Sequence, residues 1–226
     1  MRSANNSAEF IEAVYKETGI CVEIISGELE AEYIYLGVRT ALDMGDKNSL
    51  VMDIGGGSVE FIIADKNNIK WSHSFDLGAA RLLDKFKPTD PISREEIMLV
   101  ENYLETNLQK LFIECKRYEP QTLIGSSGSF DTFAELIAYE YYSPKILKNK
   151  TEYIFNIEEY KNIHHIILTS QREDRAKMKG LTALRIDMIV LASIFVNLII
   201  KKLNISEMKL STHAMKEGIL WSILEK

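Results

Sequence analysis

The sequence predicts an α/β fold: a mixed β-sheet with flanking helices and one helical insertion. Two observations predict the sheet. Apolar, strand-length runs at 49–53, 59–64 and 69–75 follow one another across short turns, which is the pattern of an antiparallel meander. Further strand-length runs at 122–124 and 208–211 are each followed by a helix-length apolar pattern, so strand–helix units complete the sheet. A third observation predicts the insertion: before the last strand, 151–203 carries mostly helical patterns.

Composition narrows the function. The 226 residues suffice for one large domain or two small ones, and 46% are apolar, as a globular core requires. The formal charge is −6 and the chain has no Lys/Arg-rich block, which argues against nucleic acid as a partner. A polyanionic ligand would need local attraction, from a few basic residues and a metal. Cys21 and Cys115 are far apart and have no metal-ligand spacing, so they read as reduced thiols of a cytoplasmic protein. The first six residues are polar and no signal-type apolar stretch follows them. The longest apolar run, 188–200, contains Ser193 and Asn197 and is too short to span a membrane.

Taken in order, Ser7 is the expected N-cap of a helix over 8–17, and 21–25 is a short β-branched strand. Ser26-Gly27 opens a helix over 28–42, whose first turns hold Glu28, Glu30 and Glu32, where the helix dipole favours acids. The meander follows, with 65–68 as one of its turns. Gly78 starts a helix over 79–86 that Pro88 and Pro91 end. Ser93 to Glu96 is a capping box for a single helix reaching about 117. The strand 122–124 empties into Gly125-Ser126-Ser127-Gly128-Ser129, and a helix over 130–141 comes next. The basic loop 144–150 is the best internal seam. Beyond it come a strand at 152–155, a helix over 157–169, a charged connector over 171–179, a buried helix over 185–203, the strand 208–211 and a helix over 213–225. This order is the RNase H-like layout, in which ligands collect at strand ends near the glycine turns.

The stretch Asp53-Ile54-Gly55-Gly56-Gly57-Ser58-Val59-Glu60 joins the first two strands. Glycines there let the backbone approach a ligand, and their consecutive N–H groups can cradle phosphate. Carboxylates repel phosphate, so Asp53 and Glu60 beside such a cradle point to a bridging divalent cation or an activated water. Asp53 is the expected ligand of Mg²⁺ or another divalent cation. Glu60 reads equally well as a group that orients water or metal and as an ordinary strand glutamate. Gly125 to Ser129 joins a strand to a helix N-terminus, a second ready anion site. It lacks the glycine of a serine-hydrolase elbow and the Gly-Lys-Ser/Thr of a P-loop. By position alone Glu30 reads as a capping glutamate, third in its helix. Arg2, Arg81 and Lys216 are candidate phosphate cations.

Together these motifs resemble the exopolyphosphatase/guanosine pentaphosphate phosphohydrolase (Ppx/GppA) family, a branch of the actin-like ATPase superfold. The resemblance runs from Arg2-Ser3-Ala4-Asn5-Asn6 through Ser26-Gly27-Glu28-Leu29-Glu30-Ala31, the Asp53–Glu60 stretch, Gly78 to Arg81, Gly125 to Ser129, Lys179-Gly180-Leu181 with Arg185 and Asp187, and Lys216-Glu217-Gly218. Val59 and Ser129 stand where threonine is common, and Lys216 replaces an arginine, which weakens any bidentate phosphate contact there. The resemblance implies that Glu30 is the base activating the attacking water, and that Arg2 and the two glycine loops hold phosphate. It implies a hydrolase that releases terminal phosphate from inorganic polyphosphate or the 5′ γ-phosphate of guanosine pentaphosphate. It also implies that 1–226 is the second lobe of such an enzyme, with the first lobe missing and an uncovered face that favours a homodimer. A phosphate- or nucleotide-binding lobe without catalysis is the alternative, and an actin-like kinase a weaker third.

Overall fold

The computed structural model describes residues 6–224. In chain order the elements are α1 (Ser7–Thr18), α2 (Gly27–Ala41), β1 (Ser49–Ile54), β2 (Val59–Ala64), β3 (Ile69–Phe75), α3 (Ala79–Phe86), α4 (Arg94–Asn107) and α5 (Gln109–Tyr118). They continue with β4 (Thr122–Ser126), α6 (Gly128–Tyr141), β5 (Glu152–Phe155), α7 (Ile157–Thr169), α8 (Arg172–Arg175), α9 (Met188–Leu203), β6 (Glu207–Ser211) and α10 (Met215–Leu224). The strands form one sheet in the order β3-β2-β1-β4-β6-β5. β1, β2 and β3 are the antiparallel meander; β4 and β6 add in parallel beside β1, and β5 returns antiparallel to β6. This is the mixed, RNase H-like sheet that the element order predicts. The segment 151–203 is not wholly a helical appendage: β5 closes one sheet edge, and α9 packs against α3, α4 and α7.

β1 and β2 are buried along their whole length, so they read as continuous apolar runs rather than an alternation. The pleat still sorts their side chains. Leu50, Met52, Phe61, Ile63 and Leu123 join the larger core, with Phe133 of α6 and Phe195 of α9. Val51, Ile62 and Ile124 join a smaller core under α2, with Ile34 and Val38. Period two then puts Asp53, Glu60 and Ser126 on the α2 face, each two residues along from one of those three.

Several boundaries differ from expectation. Residues 21–25 form no strand. The sheet's edges are β3 and β5, and this segment instead runs along the cleft described below. The single helix expected over 94–117 breaks at Leu108, between α4 and α5. There the amides of Asn107 and Gln109 donate to the carbonyls of Tyr103 and Glu105, side-chain bonds that compete with the ladder. The capping box at its start is present, with Ser93 Oγ accepting from the Glu96 N–H and the Glu96 carboxylate accepting from the Ser93 N–H. β4 runs on to Ser126, the connector 171–179 contains the one-turn α8, and α9 begins at Met188. No helix among the described residues is long and apolar enough to cross a membrane.

α2 and α10 cross at their backbones. A Cβ on Gly218 would lie 1.7 Å from the Tyr33 carbonyl oxygen, and one on Gly37 would lie 2.0 Å from that of Ala214. Neither obstacle is a flexible side-chain end, so the helices must separate to admit one. Gly218→Ala is expected to destabilise the fold by about 3 kcal/mol, at the upper end of overpacking costs. Urea unfolding at pH 7 measures this, and a midpoint equal to wild type would refute it.

Candidate active site

A row of polar side chains crosses the α2 face. Register pairs Ser74 of β3 with Glu60, Glu60 with Asp53, and Asp53 with Ser126 of β4. Ser126 Oγ donates to Asp53 Oδ2 at 2.6 Å, and Ser74 Oγ donates to Glu60 Oε1 at 2.6 Å. Both carboxylates are nearly sealed, Asp53 at 8% and Glu60 at 1% exposure. Burial therefore pushes the Asp53 carboxyl above the usual range, against the Ser126 and Ser127 hydroxyls, with Glu30 adding to the rise. Burial raises Glu60 likewise, against Ser74 and Ser58, with Glu30 and Asp53 adding. Three acids thus share one field.

The glycine turn between β1 and β2 is oriented by α3. The Gly55 carbonyl accepts from the Ala79 N–H, Gly56 from those of Ala80 and Arg81, and Gly57 from the Gly78 N–H and Arg81 Nε. Three carbonyls thereby supply acceptors to the orphan donors around the start of α3. In a trans peptide the N–H opposes the C=O. The N–H groups of Gly56, Gly57 and Ser58 therefore face away from α3, on a loop that lines the cleft. The glycines are not required by a left-handed backbone, because none of the three has positive φ. A Cβ on Gly57 would meet nothing within 4 Å, so the room it leaves is open to a ligand. Gly78 is the constrained glycine: its Cβ would lie 2.4 Å from the Gly56 carbonyl.

Glu30 does not cap its helix. Ser26 is the N-cap, and its Oγ accepts from the Leu29 N–H. Leu29 therefore holds the third position and Glu30 the fourth, so the capping explanation fails. Glu30 lines a cleft of about 400 Å³ with Val22 to Ile25, Asp53, Gly55 to Ser58, Glu60, Asp76 and Met215. Five of these are acids, and the described lining includes no Lys or Arg.

The second glycine loop lies on the other side of Asp53 and does not line this cleft. Gly125 sits inside β4, where a Cβ would collide with the Phe130 ring, so packing alone demands a glycine. Gly128 lies under the Arg185 guanidinium, 1.8 Å from where its Cβ would be. Ser129 is in the first turn of α6. Ser127, at φ 69° and ψ 176°, occupies a conformation that costs a non-glycine residue about 1–3 kcal/mol. That strained backbone brings its hydroxyl to the Ile54 carbonyl at 3.3 Å and to Asp53. The loop thus reaches the site through Ser126 and Ser127. Among the cations, Arg2 lies outside the described residues. Arg81 bonds the Gly57 carbonyl and pairs with Asp76, and Lys216 pairs with Glu217.

Known proteins resemble this chain along its length. The profile of the Ppx/GppA phosphatase family matches residues 1–226. The chain belongs to that family. A crystal structure of an exopolyphosphatase from Cytophaga hutchinsonii is 37% identical and superposes with a TM-score of 0.94 over 99% of this chain and 72% of that one. Exopolyphosphatase 1 of Mycobacterium tuberculosis is 25% identical over 97% of this chain and 63% of its own length. The guanosine-5′-triphosphate,3′-diphosphate pyrophosphatase of Aeromonas salmonicida is 26% identical over 99% of this chain and 43% of its own length. The chain therefore spans about two thirds or less of the curated relatives it matches.

In this family member the donor set suits a hydrated divalent cation. Among the described residues no cluster of three or more His, Cys, Asp or Glu encloses an ion. Mg²⁺ does not need one, because it keeps several waters and takes one or two carboxylates together with substrate phosphates. Asp53 and Glu60, adjacent across a strand pair and each raised by burial with acidic neighbours adding, are the side chains that could supply such ligands.

Sequence reading passed over two residues. Ser74 has no motif around it and is found only through strand register. Asp131, in the first turn of α6, has its carboxyl pushed up to about 6 by burial, against Arg185 and Lys216. Between pH 4 and 6 the unfolded chain has lost this proton while the fold keeps it, so stability falls as pH rises through that window. Asp131→Asn is expected to be more stable than wild type at pH 7, by on the order of 2 kcal/mol. The advantage should vanish below about pH 4. Urea unfolding at the two pH values decides it, and equal midpoints at pH 7 would exclude the effect.

Proposed function

We propose that this chain carries the water-activating and phosphate-holding part of a phosphoanhydride hydrolase. Its substrate would be inorganic polyphosphate, whose terminal phosphate it releases, or guanosine pentaphosphate, which loses its 5′ γ-phosphate. The observation that carries this reading is the glycine turn with its N–H groups turned from α3, on the same cleft as Glu30, Asp53 and Glu60. The names of the relatives support the pair of substrates.

In this reading the N–H groups of Gly56, Gly57 and Ser58 bind the transferred phosphoryl oxygens, where charge develops. Glu30 takes the proton of the attacking water. Asp53 and Glu60 hold Mg²⁺, which when bound neutralises charge between phosphate and carboxylates. A described wall of five acids without Lys or Arg cannot hold a polyanion alone. Arg2 and an opposing first lobe supply the remaining cations. Exposed apolar side chains on α1, Phe10 and Tyr15, and on α10, Leu220 and Trp221, are ones that such a lobe would cover. A cytoplasmic location is part of the reading, from the unpaired Cys21 and Cys115.

The test is phosphate release by the full natural polypeptide from each substrate, with Mg²⁺, with a chelator, and with Mg²⁺ restored. Release that stops with the chelator and returns with Mg²⁺ is expected. Tight binding of polyphosphate without release would replace this reading by the non-catalytic binding lobe. Transfer of phosphate from ATP to an acceptor other than water would replace it by a kinase.

A further inference from the structure

Glu60 is the least exposed acid of the cleft, and its carboxylate needs donors to remain there. Among the described residues two hydroxyls act on it. Ser58 belongs to the glycine turn; Ser74 belongs to β3, the sheet-edge strand paired with β2. The two differ in whether a ligand in the turn would claim them. A serine hydroxyl has one proton. Ser58 sits among the N–H groups that would face a bound phosphate, so a ligand in the turn competes with Glu60 for its proton. Ser74 does not line the cleft, and strand register holds it opposite Glu60 at 2.6 Å.

We propose that Ser74 is a positioning residue: its hydroxyl is a ligand-independent anchor of the Glu60 carboxylate, helping to keep it in place when Ser58 turns to bound phosphate. Ser74 touches no substrate in this scheme and acts through Glu60 alone. Its counterpart across the row is Ser126, which anchors Asp53 from β4. The difference is that β3 has a strand partner on one side only, so Ser74 is held by its pairing with β2.

The kinetic arm of the test rests on the proposed hydrolase function, and the spectroscopic arm does not. With the full natural polypeptide, Ser74→Ala is expected to lower kcat about 10-fold with KM within 2-fold. Ser74→Thr, which keeps the hydroxyl, should restore most of it. In a Glu60→Gln background Ser74→Ala should have no further effect. Without substrate or metal, the ¹³C carboxyl resonance of Glu60, assigned by its loss in Glu60→Gln, should move in Ser74→Ala and return in Ser74→Thr. An unmoved resonance overturns the proposal, as does an equal kcat loss with and without Glu60. A lowered melting temperature with unchanged kcat and an unmoved resonance would make Ser74 merely structural. If wild type releases no phosphate, the hydrolase reading fails, and the resonance alone decides Ser74.

Discussion

Glu30→Gln is expected to lower phosphate release by about 10³-fold while leaving the fold and substrate binding intact, the middle of the range for removing a general base. Three features support so specific a loss. Glutamine has the shape of glutamate and retains its apolar stem. Ser26 caps α2 through its bond to Leu29, so the helix start does not depend on residue 30. Glu30 faces the cleft with Asp53 and Glu60, and removing its charge lessens the repulsion acting on both. Substrate and metal affinity should therefore hold or rise slightly, and KM should stay within a few-fold. The stability change should remain below about 1 kcal/mol, the scale of one acid at a helix N-terminus. Phosphate release within a few-fold of wild type would remove Glu30 from the mechanism.

Gly78→Ala is expected to weaken phosphate binding about 10- to 100-fold and to destabilise the fold by about 3 kcal/mol. Its backbone, at φ −61° and ψ 156°, suits alanine, so any loss comes from space alone. The added Cβ would lie 2.4 Å from the carbon and oxygen of the Gly56 carbonyl and 2.5 Å from the Gly57 carbonyl carbon. These are backbone atoms and cannot swing aside. The turn must lift from α3, and with it go the bonds that fix the three peptide planes. Overpacking of this kind costs about 1–3 kcal/mol. Each misdirected N–H also forfeits a bond to a charged ligand worth about 1.5–3 kcal/mol. Gly57→Ala is the contrast, since its Cβ enters open space. It should unfold within about 1 kcal/mol of wild type. Tripolyphosphate titration and urea unfolding measure both variants. Equal affinity in Gly78→Ala and wild type would mean that docking on α3 does not orient the turn.

The sheet was legible because its signal is local. A buried strand pair must be apolar throughout, and a short polar turn between two such runs leaves little choice but a hairpin. The same purity made Asp53 and Glu60 conspicuous, as the only ionisable residues within β1 and β2. The break at Leu108 was hidden because the apolar period continues across it, while the side-chain bonds that compete with the ladder leave no periodic trace. The segment 21–25 has strand composition but runs along the cleft and pairs with neither edge strand, and pairing is a property of the whole sheet.

By itself the sequence determined the element order, the mixed sheet, the acid-flanked glycine turn and membership in a family of phosphatases, because each rests on residues that are neighbours in the chain or recur as motifs. Tertiary structure alone decided which groups meet. It moved Glu30 from a capping role to the cleft wall, gave Gly125 to the packing of Phe130, and turned the Gly56 to Ser58 N–H groups outward by docking the carbonyls on α3. It also set Ser74 against Glu60. The physical reason is register: a strand's side chains find their partners across the sheet, and no chain-local pattern records which residue lies opposite.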